Sequence, residues 1–210
     1  MERKGILIVI SGFAGTGKGT LVKGLLSQYE QYALSVSMTT RQPRAGEEEG
    51  VSYFFVSKET FEKTVEENGL IEHACYCGNY YGTPKAYVER MLQEGKDVIL
   101  EIEIQGALKI KELYPDSLLL FVMPPSAEEL YKRLVGRGTE TPEVVDKRMR
   151  RAAEEAQGIE EYDYIVVNDD IDDCIKRTHA IIEAAHQMPV RNMAFIQKIQ
   201  QELKQMAKGE

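Results

Sequence analysis

Cysteine is scarce in this chain, long apolar runs are missing, and positive charge is in the minority. The three cysteines, Cys75, Cys77 and Cys174, form no C-x-x-C pair, and an odd count argues for reduced thiols over a disulfide framework or a zinc site. His73, His179 and His186 are scattered as well, so no metal-ligand spacing emerges. No apolar stretch approaches the roughly 18 residues a membrane span needs. Residues 1–5 lead straight into the apolar run 6–10, and the expectation is a cytoplasmic protein with no membrane partner. Lys and Arg number 26 against 34 Asp and Glu, a formal charge of −8. That balance disfavours nucleic acid, which is usually met by basic surfaces.

What is present fits one compact unit with small insertions: 210 residues, 43% apolar and 29% charged. The basic residues are unevenly placed. Lys132, Arg133, Arg137, Lys147, Arg148, Arg150 and Arg151 lie close together, as do Arg41 and Arg44. Such clusters suit a small, highly charged anion, although a solvated helix face has the same composition.

Residues 6–11 form a continuous apolar run ended by glycines, the pattern of a strand buried on both faces, and a helix over 18–28 follows. Further buried strands are expected at 97–102, 118–123 and 164–167, alternating with helices at 105–113, 127–134 and 142–160. The alternation implies an α/β fold with a parallel core sheet flanked by helices. Between the first helix and residue 97 the texture changes to short β-rich runs at 35–40, 53–56, 70–76 and 80–83, with one helix at 58–67. They read as an inserted, mostly antiparallel lobe. Gly136, Gly138 and Pro142 bracket an arginine-rich excursion suited to a flap. In the last 20 residues Phe195, Ile196, Ile199, Leu203 and Met206 recur near a 3.6 spacing, a packing or dimer face.

Gly12, Phe13, Ala14, Gly15, Thr16, Gly17, Lys18, Gly19 and Thr20 follow the first strand and open a helix, the context in which a Walker A loop carries meaning. Its glycines let backbone N–H groups wrap a phosphate at a helix N-terminus, and Lys18 adds a cation near the β/γ bridge of ATP. The residue after the lysine is usually a Ser or Thr that binds Mg²⁺. Here it is Gly19, giving a G-K-G-T ending similar to that of adenylate kinases. Thr20 is rotated by about 100° around the helix, so Mg²⁺ is expected to be held by nucleotide phosphates and water. No guanine-reading N-K-x-D of a GTPase is present; the stretch Val167, Asn168, Asp169, Asp170 does not fit it.

Seven ordered blocks make the resemblance specific: 35–44 (S-V-S-M-T-T-R-Q-P-R), 50–53 (G-V-S-Y), 70–72 (L-I-E), 78–83 (G-N-Y-Y-G-T), 100–106 (L-E-I-E-I-Q-G), 136–140 (G-R-G-T-E) and 167–170 (V-N-D-D). Over about residues 5–185 the chain resembles the guanylate kinases. The resemblance implies a P-loop nucleoside monophosphate kinase fold, with core 1–34, 84–126 and 161–210, a GMP-binding lobe 35–83 and a lid 127–160. It further implies transfer of the γ-phosphate of ATP to GMP, and to dGMP, in line and with Mg²⁺. Arg41, Arg44, Tyr53 and Tyr81 would grip the GMP phosphate, while Ser37, Glu72, Thr83 and Glu103 read guanine. Arg133, Arg137 and Arg148 would close on the ATP phosphates, with Lys18, Arg41, Arg137 and Arg148 acting in the transfer and Asn168 beside adenine. The chemistry agrees, because paired guanidinium forks suit a phosphate dianion. A carboxylate such as Glu72 accepts from guanine N1–H and N2–H₂ but would face the bare N1 of adenine.

Two positions depart from expectation: Gly19, and Glu103 where the family commonly has aspartate. Glu101, at a strand end, is the candidate to organise Mg²⁺-bound water in the place of a Walker B acid. Another nucleoside monophosphate kinase, or a catalytically inactive guanylate-kinase-like protein-binding module, are the competing readings; fold alone never proves activity.

Overall fold

The computed structural model describes residues 4–44, 46–76, 78–136 and 141–207, with the Tyr76 side chain left aside. Its core is a five-stranded sheet in the order β2-β7-β1-β8-β9, comprising β1 (Leu7–Gly12), β2 (Tyr32–Leu34), β7 (Asp97–Glu101), β8 (Leu118–Met123) and β9 (Tyr164–Val167). Every pairing in it is parallel. Side chains alternate across a strand, so β1 and the residue before it feed two cores. Ile6, Ile8 and Ile10 pack with Leu21, Leu25, Ile175 and Ile182 from α1 (Lys18–Gln28) and α7 (Ile171–His186). Leu7 and Val9 face the other way, toward Val88, Ile104, Ile110 and Leu130 of α3 (Lys85–Gln93), α4 (Ile104–Leu113) and α5 (Ala127–Gly136). Each such side chain contributes about 1.5–3 kcal/mol by leaving water. The two-sided cover explains why these strands are continuous apolar runs. Gly24 lets α1 approach α7 closely, since a Cβ there would lie 2.2 Å from Ile175 Cδ1.

Between β2 and α3 the chain builds a second sheet in the order β4-β3-β6-β5, from β3 (Met38–Thr39), β4 (Phe54–Phe55), β5 (Leu70–Tyr76) and β6 (Asn79–Pro84). β3 with β6 and β5 with β6 are antiparallel, while β3 with β4 is parallel. Helix α2 (Lys58–Glu66) begins where the Ser57 hydroxyl accepts from Thr60 N–H at 3.1 Å, an N-cap. It buries Phe61, which stacks on Tyr80 with centroids 5.4 Å apart.

Several expectations shift. The run expected at 35–40 narrows to Met38–Thr39. The helix expected over 142–160 is α6 (Pro142–Glu155) followed by a 3₁₀ turn, Ala156–Glu161. Strand β9, expected to be buried on both faces, is an edge strand with Tyr164 and Ile165 exposed and Val166 buried. Residues 137–140 of the flap lie outside the described residues.

Two of the three histidines are structural. His179 Nδ1 meets the Tyr32 hydroxyl at 2.6 Å and stacks on Tyr29. His186 Nε2 lies 2.9 and 3.0 Å from the carboxylate oxygens of buried Asp97, which also accepts from Ile6 N–H at 2.8 Å. Glu183 is close enough that Asp97, Glu183 and His186 offer atoms within 4.8 Å of one another. The imidazole and the carboxylate meet at hydrogen-bond distance, so their pairing needs no bridging ion.

Candidate active site

The loop between β1 and α1 is shaped by backbone. Gly15 and Gly17 adopt left-handed φ values of 91° and 85°, a region where a Cβ is strained. Thr16 is buried and its hydroxyl donates to Phe13 O at 2.9 Å, closing the turn. Phe13 anchors the loop edge-on against Phe121, 5.1 Å between centroids. Helix α1 starts at Gly17 without a side-chain cap and without an acidic residue in its first turn. Its first N–H groups and positive dipole end therefore remain available to an anion. Lys18 Nζ folds back to Gly12 O and Phe13 O at 2.7 and 3.0 Å, which keeps its charge at the mouth of the loop.

Asn168 follows β9 and is buried; its amide donates to Thr16 O at 2.7 Å. A Cβ at Gly17 would lie 2.6 Å from Asn168 Nδ2, so loop and amide are fitted to one another. Arg133 joins the same group, donating to Asn168 O at 2.9 Å and to Glu129 at 2.8 Å. Glu101 ends β7 beside Ile10. A Cβ at Gly19 would stand 3.9 Å from Glu101 Oε2, so this carboxylate lies next to the place a metal-binding hydroxyl would occupy. Exposed Thr20 is on α1 itself.

The second sheet carries the residues expected around the acceptor. Thr83 is fully buried and donates to Glu72 Oε1 at 2.8 Å across β5 and β6. Burial pushes the Glu72 carboxyl up from its ordinary range, and the Thr83 hydrogen bond opposes that shift. Arg41 lies over the Tyr53 ring at 5.4 Å, and Tyr53 and Tyr81 meet edge to face at 6.1 Å. Glu47, which the sequence did not single out, takes two guanidinium bonds from Arg41 at 2.8 and 3.0 Å and the Arg44 N–H at 2.8 Å. Arg41 is accordingly held charged, by Glu47 first and Tyr81 after it. The Arg44 side chain is exposed. Half-buried Ser37 stands beside β4, its carbonyl accepting from Phe54 N–H at 2.9 Å.

Glu103 is not gathered with these. Glu103 is exposed and turned toward α6, where Arg151 Nη2 is 2.5 Å away. Arg151 also holds Glu155 at 2.9 Å. A cleft of about 530 Å³ beside this pair is lined by Glu103, Gln105, Lys147, Arg150 and Arg151. Arg148 is half-buried on α6. Arg137 lies outside the described residues.

A glycine-wrapped phosphate loop on a five-stranded parallel core, together with a separate small sheet carrying a basic and aromatic cluster, is the P-loop nucleoside monophosphate kinase fold. The family model described as guanylate kinase matches residues 4–185. The guanylate kinase of Halalkalibacterium halodurans is 52% identical over 185 residues, covering 88% of this chain and 91% of the relative. That of Caldanaerobacter subterraneus subsp. tengcongensis is 47% identical over 202 residues, 96% of this chain and 98% of the relative. The crystal structure of guanylate kinase from Anaplasma phagocytophilum superposes with a TM-score of 0.70 at 35% identity, covering 90% of each chain. The chain belongs to the guanylate kinase family.

Proposed function

We propose that this enzyme transfers the γ-phosphate of ATP to GMP, giving ADP and GDP by in-line displacement. The observation that carries the base choice is the half-buried Glu72 carboxylate held by buried Thr83. An ionised Glu72 accepts from guanine N1–H and N2–H₂, and adenine would strand it against a lone pair. The phosphate loop holds the donor, and Arg41, Arg44, Tyr53 and Tyr81 hold the acceptor phosphate. None of the acceptor residues named is assigned to the ribose 2′-hydroxyl, so dGMP is proposed as a second acceptor.

The division of labour follows the two sheets: residues 35–83 as the GMP lobe, 127–160 as a lid, and the rest as core. Arg133, Arg137 and Arg148 belong to the lid side, where cations stabilise charge on the transferring group without acid–base chemistry. Guanine contact by Glu103 requires it to leave Arg151. Asn168 acts on the ATP side by bracing the loop. Glu101 beside Gly19 fits a role in ordering Mg²⁺-bound water, and Mg²⁺, when bound, neutralises charge on the β- and γ-oxygens.

Among the described residues no helix is long and apolar enough to cross a membrane, and we place the enzyme with the cytoplasmic nucleotide pool. Helix α8 (Met193–Met206) buries none of its residues. Its Ile196, Ile199, Leu203 and Met206 recur at the three- and four-residue steps of a coiled-coil seam. We infer a homo-oligomer through this helix, tested by light scattering of Ile199→Asp; a monomeric wild type at micromolar concentration rejects it.

The deciding experiment is ADP formation from ATP and Mg²⁺ with GMP, dGMP, AMP, CMP and UMP offered separately, using Lys18→Ala as blank. Turnover with GMP and dGMP that the blank lacks is expected. Turnover with AMP instead would overturn the base reading, and none at all would favour a protein-binding module.

A further inference from the structure

Given the reading of the small sheet as the GMP site, we propose that Glu47 is a positioning residue that holds Arg41 by one edge of its guanidinium and presents the opposite edge to the acceptor phosphate. A guanidinium has five N–H donors in a fixed plane. Both Nη1 hydrogens are taken, one by Gln42 O at 2.8 Å and one by Glu47 Oε2 at 3.0 Å, and one Nη2 hydrogen goes to Glu47 Oε1 at 2.8 Å. The Nε–H and the second Nη2 hydrogen form the other fork. Among the described residues no carboxylate or carbonyl takes that fork; the Tyr81 hydroxyl, itself expected on the acceptor phosphate, is hydrogen-bonded to the guanidinium, and the Tyr53 ring lies 5.4 Å from it. One anion thus sets the plane of Arg41, and a second, the phosphate dianion, has a matched pair of donors.

Glu47 is fixed in its turn. Its Oε2 also accepts the Arg44 N–H at 2.8 Å, and its own N–H donates to Arg44 O at 3.1 Å. The segment from Arg41 to Glu47 is therefore closed by side chain and backbone together, which sets the spacing between the two arginines. The pair is largely shielded, with side-chain exposures of 13% for Arg41 and 22% for Glu47. This separates it from freely solvated surface pairs, whose contribution is small. Arg41, and then the Arg44 N–H, hold the Glu47 carboxyl below the usual carboxylate range, so it stays ionised at neutral pH. Within residues 41–47, two guanidinium charges against one carboxylate leave the segment net positive toward a dianion.

The opposite role is a carboxylate that merely fills the phosphate seat until GMP displaces it. Removing its charge would then tighten GMP binding. Positioning predicts the reverse, because Glu47→Gln leaves a single acceptor oxygen and turns an amide N–H toward the donors of Arg41 or Arg44.

The test is steady-state kinetics of Glu47→Gln and Glu47→Asp against wild type, varying GMP and ATP in turn, with thermal melting alongside. In Glu47→Gln we expect KM for GMP to rise about 10- to 100-fold, the range lost with a charged hydrogen bond. KM for ATP should stay within about twofold. Glu47→Asp keeps the charge on a shorter arm and should give an intermediate rise, which also serves if the glutamine variant does not fold. An unchanged or lowered KM for GMP overturns the proposal, as does an equal rise in both KM values. If the wild type prefers another nucleoside monophosphate, the GMP reading fails, and the same split measured with that acceptor still decides the role of Glu47.

Discussion

In the 12–17 loop the groups proposed to face a phosphate are backbone N–H groups, set by glycine conformations and braced by Asn168 and Phe121. In the proposed acceptor site the corresponding work falls to side chains, Glu72, Tyr81 and Thr83 on β5 and β6, and Arg41 and Tyr53 just outside β3 and β4. A backbone site binds what every nucleotide shares and has few residues that can change without strain. A side-chain site discriminates between bases and can be retuned one residue at a time.

The contrast can be broken most forcefully at Lys18, the side chain that brings charge to the proposed backbone site from within the loop. Lys18→Ala should lower kcat on the order of 10³-fold, as for other cations on a transferring phosphoryl group, with the melting temperature little changed. In the side-chain site, Glu72→Gln should lower kcat/KM for GMP by about 10²-fold while leaving AMP turnover nearly as it was; equal losses for both nucleotides would show that Glu72 is structural. Gly17→Ala tests the backbone site by conformation alone. The left-handed φ and the 2.6 Å approach to Asn168 Nδ2 should cost about 1–3 kcal/mol in denaturant unfolding, and Asn168→Ala should recover part of it.

The smallest expected effect concerns the proton on Glu72. Its folded-state pKa is raised by burial, so the native state holds that proton more tightly than the unfolded chain. Its contribution to stability is therefore greatest below the ordinary carboxylate value and declines as pH rises through the raised one. Thr83→Val removes a hydrogen bond that favours the ionised form, so the titration should move further up and the decline should extend to higher pH. Carboxyl NMR of labelled Glu72 would read the shift, and movement downward would contradict the assigned cause.

The backbone site was legible in the sequence for the same reason that it is rigid. A loop that wraps phosphate needs glycine at fixed spacing after a strand buried on both faces, and both features leave a local pattern. What escaped was short or set from afar. β2 has three residues, too few for a local pattern, whereas α7, with an Asp170 N-cap and Cys174, Ile175, Thr178, Ile182 and Ala185 on its buried face, carries a helical period that the sequence reading passes over. β9 reads as apolar but lies at the sheet edge, a matter of strand order that a local run does not encode. Glu47 is the first of three consecutive glutamates, and only the folded turn shows which one reaches Arg41. The direction of Glu103 depends on Arg151, 48 residues away.

The clasp between Asp97 and His186 bears on where the foldable unit stops. The match to the family model ends at residue 185, one position before the imidazole that faces the fully buried Asp97 carboxylate at the start of β7. Asn192 then ties off α7, donating to His186 O at 2.8 Å and Met188 O at 2.9 Å. A chain cut at residue 185 would withdraw the imidazole partner of Asp97, the carboxylate that accepts the Ile6 N–H at the start of the first strand. The folded unit thus carries contacts through Asn192, beyond the residues that the family model matches.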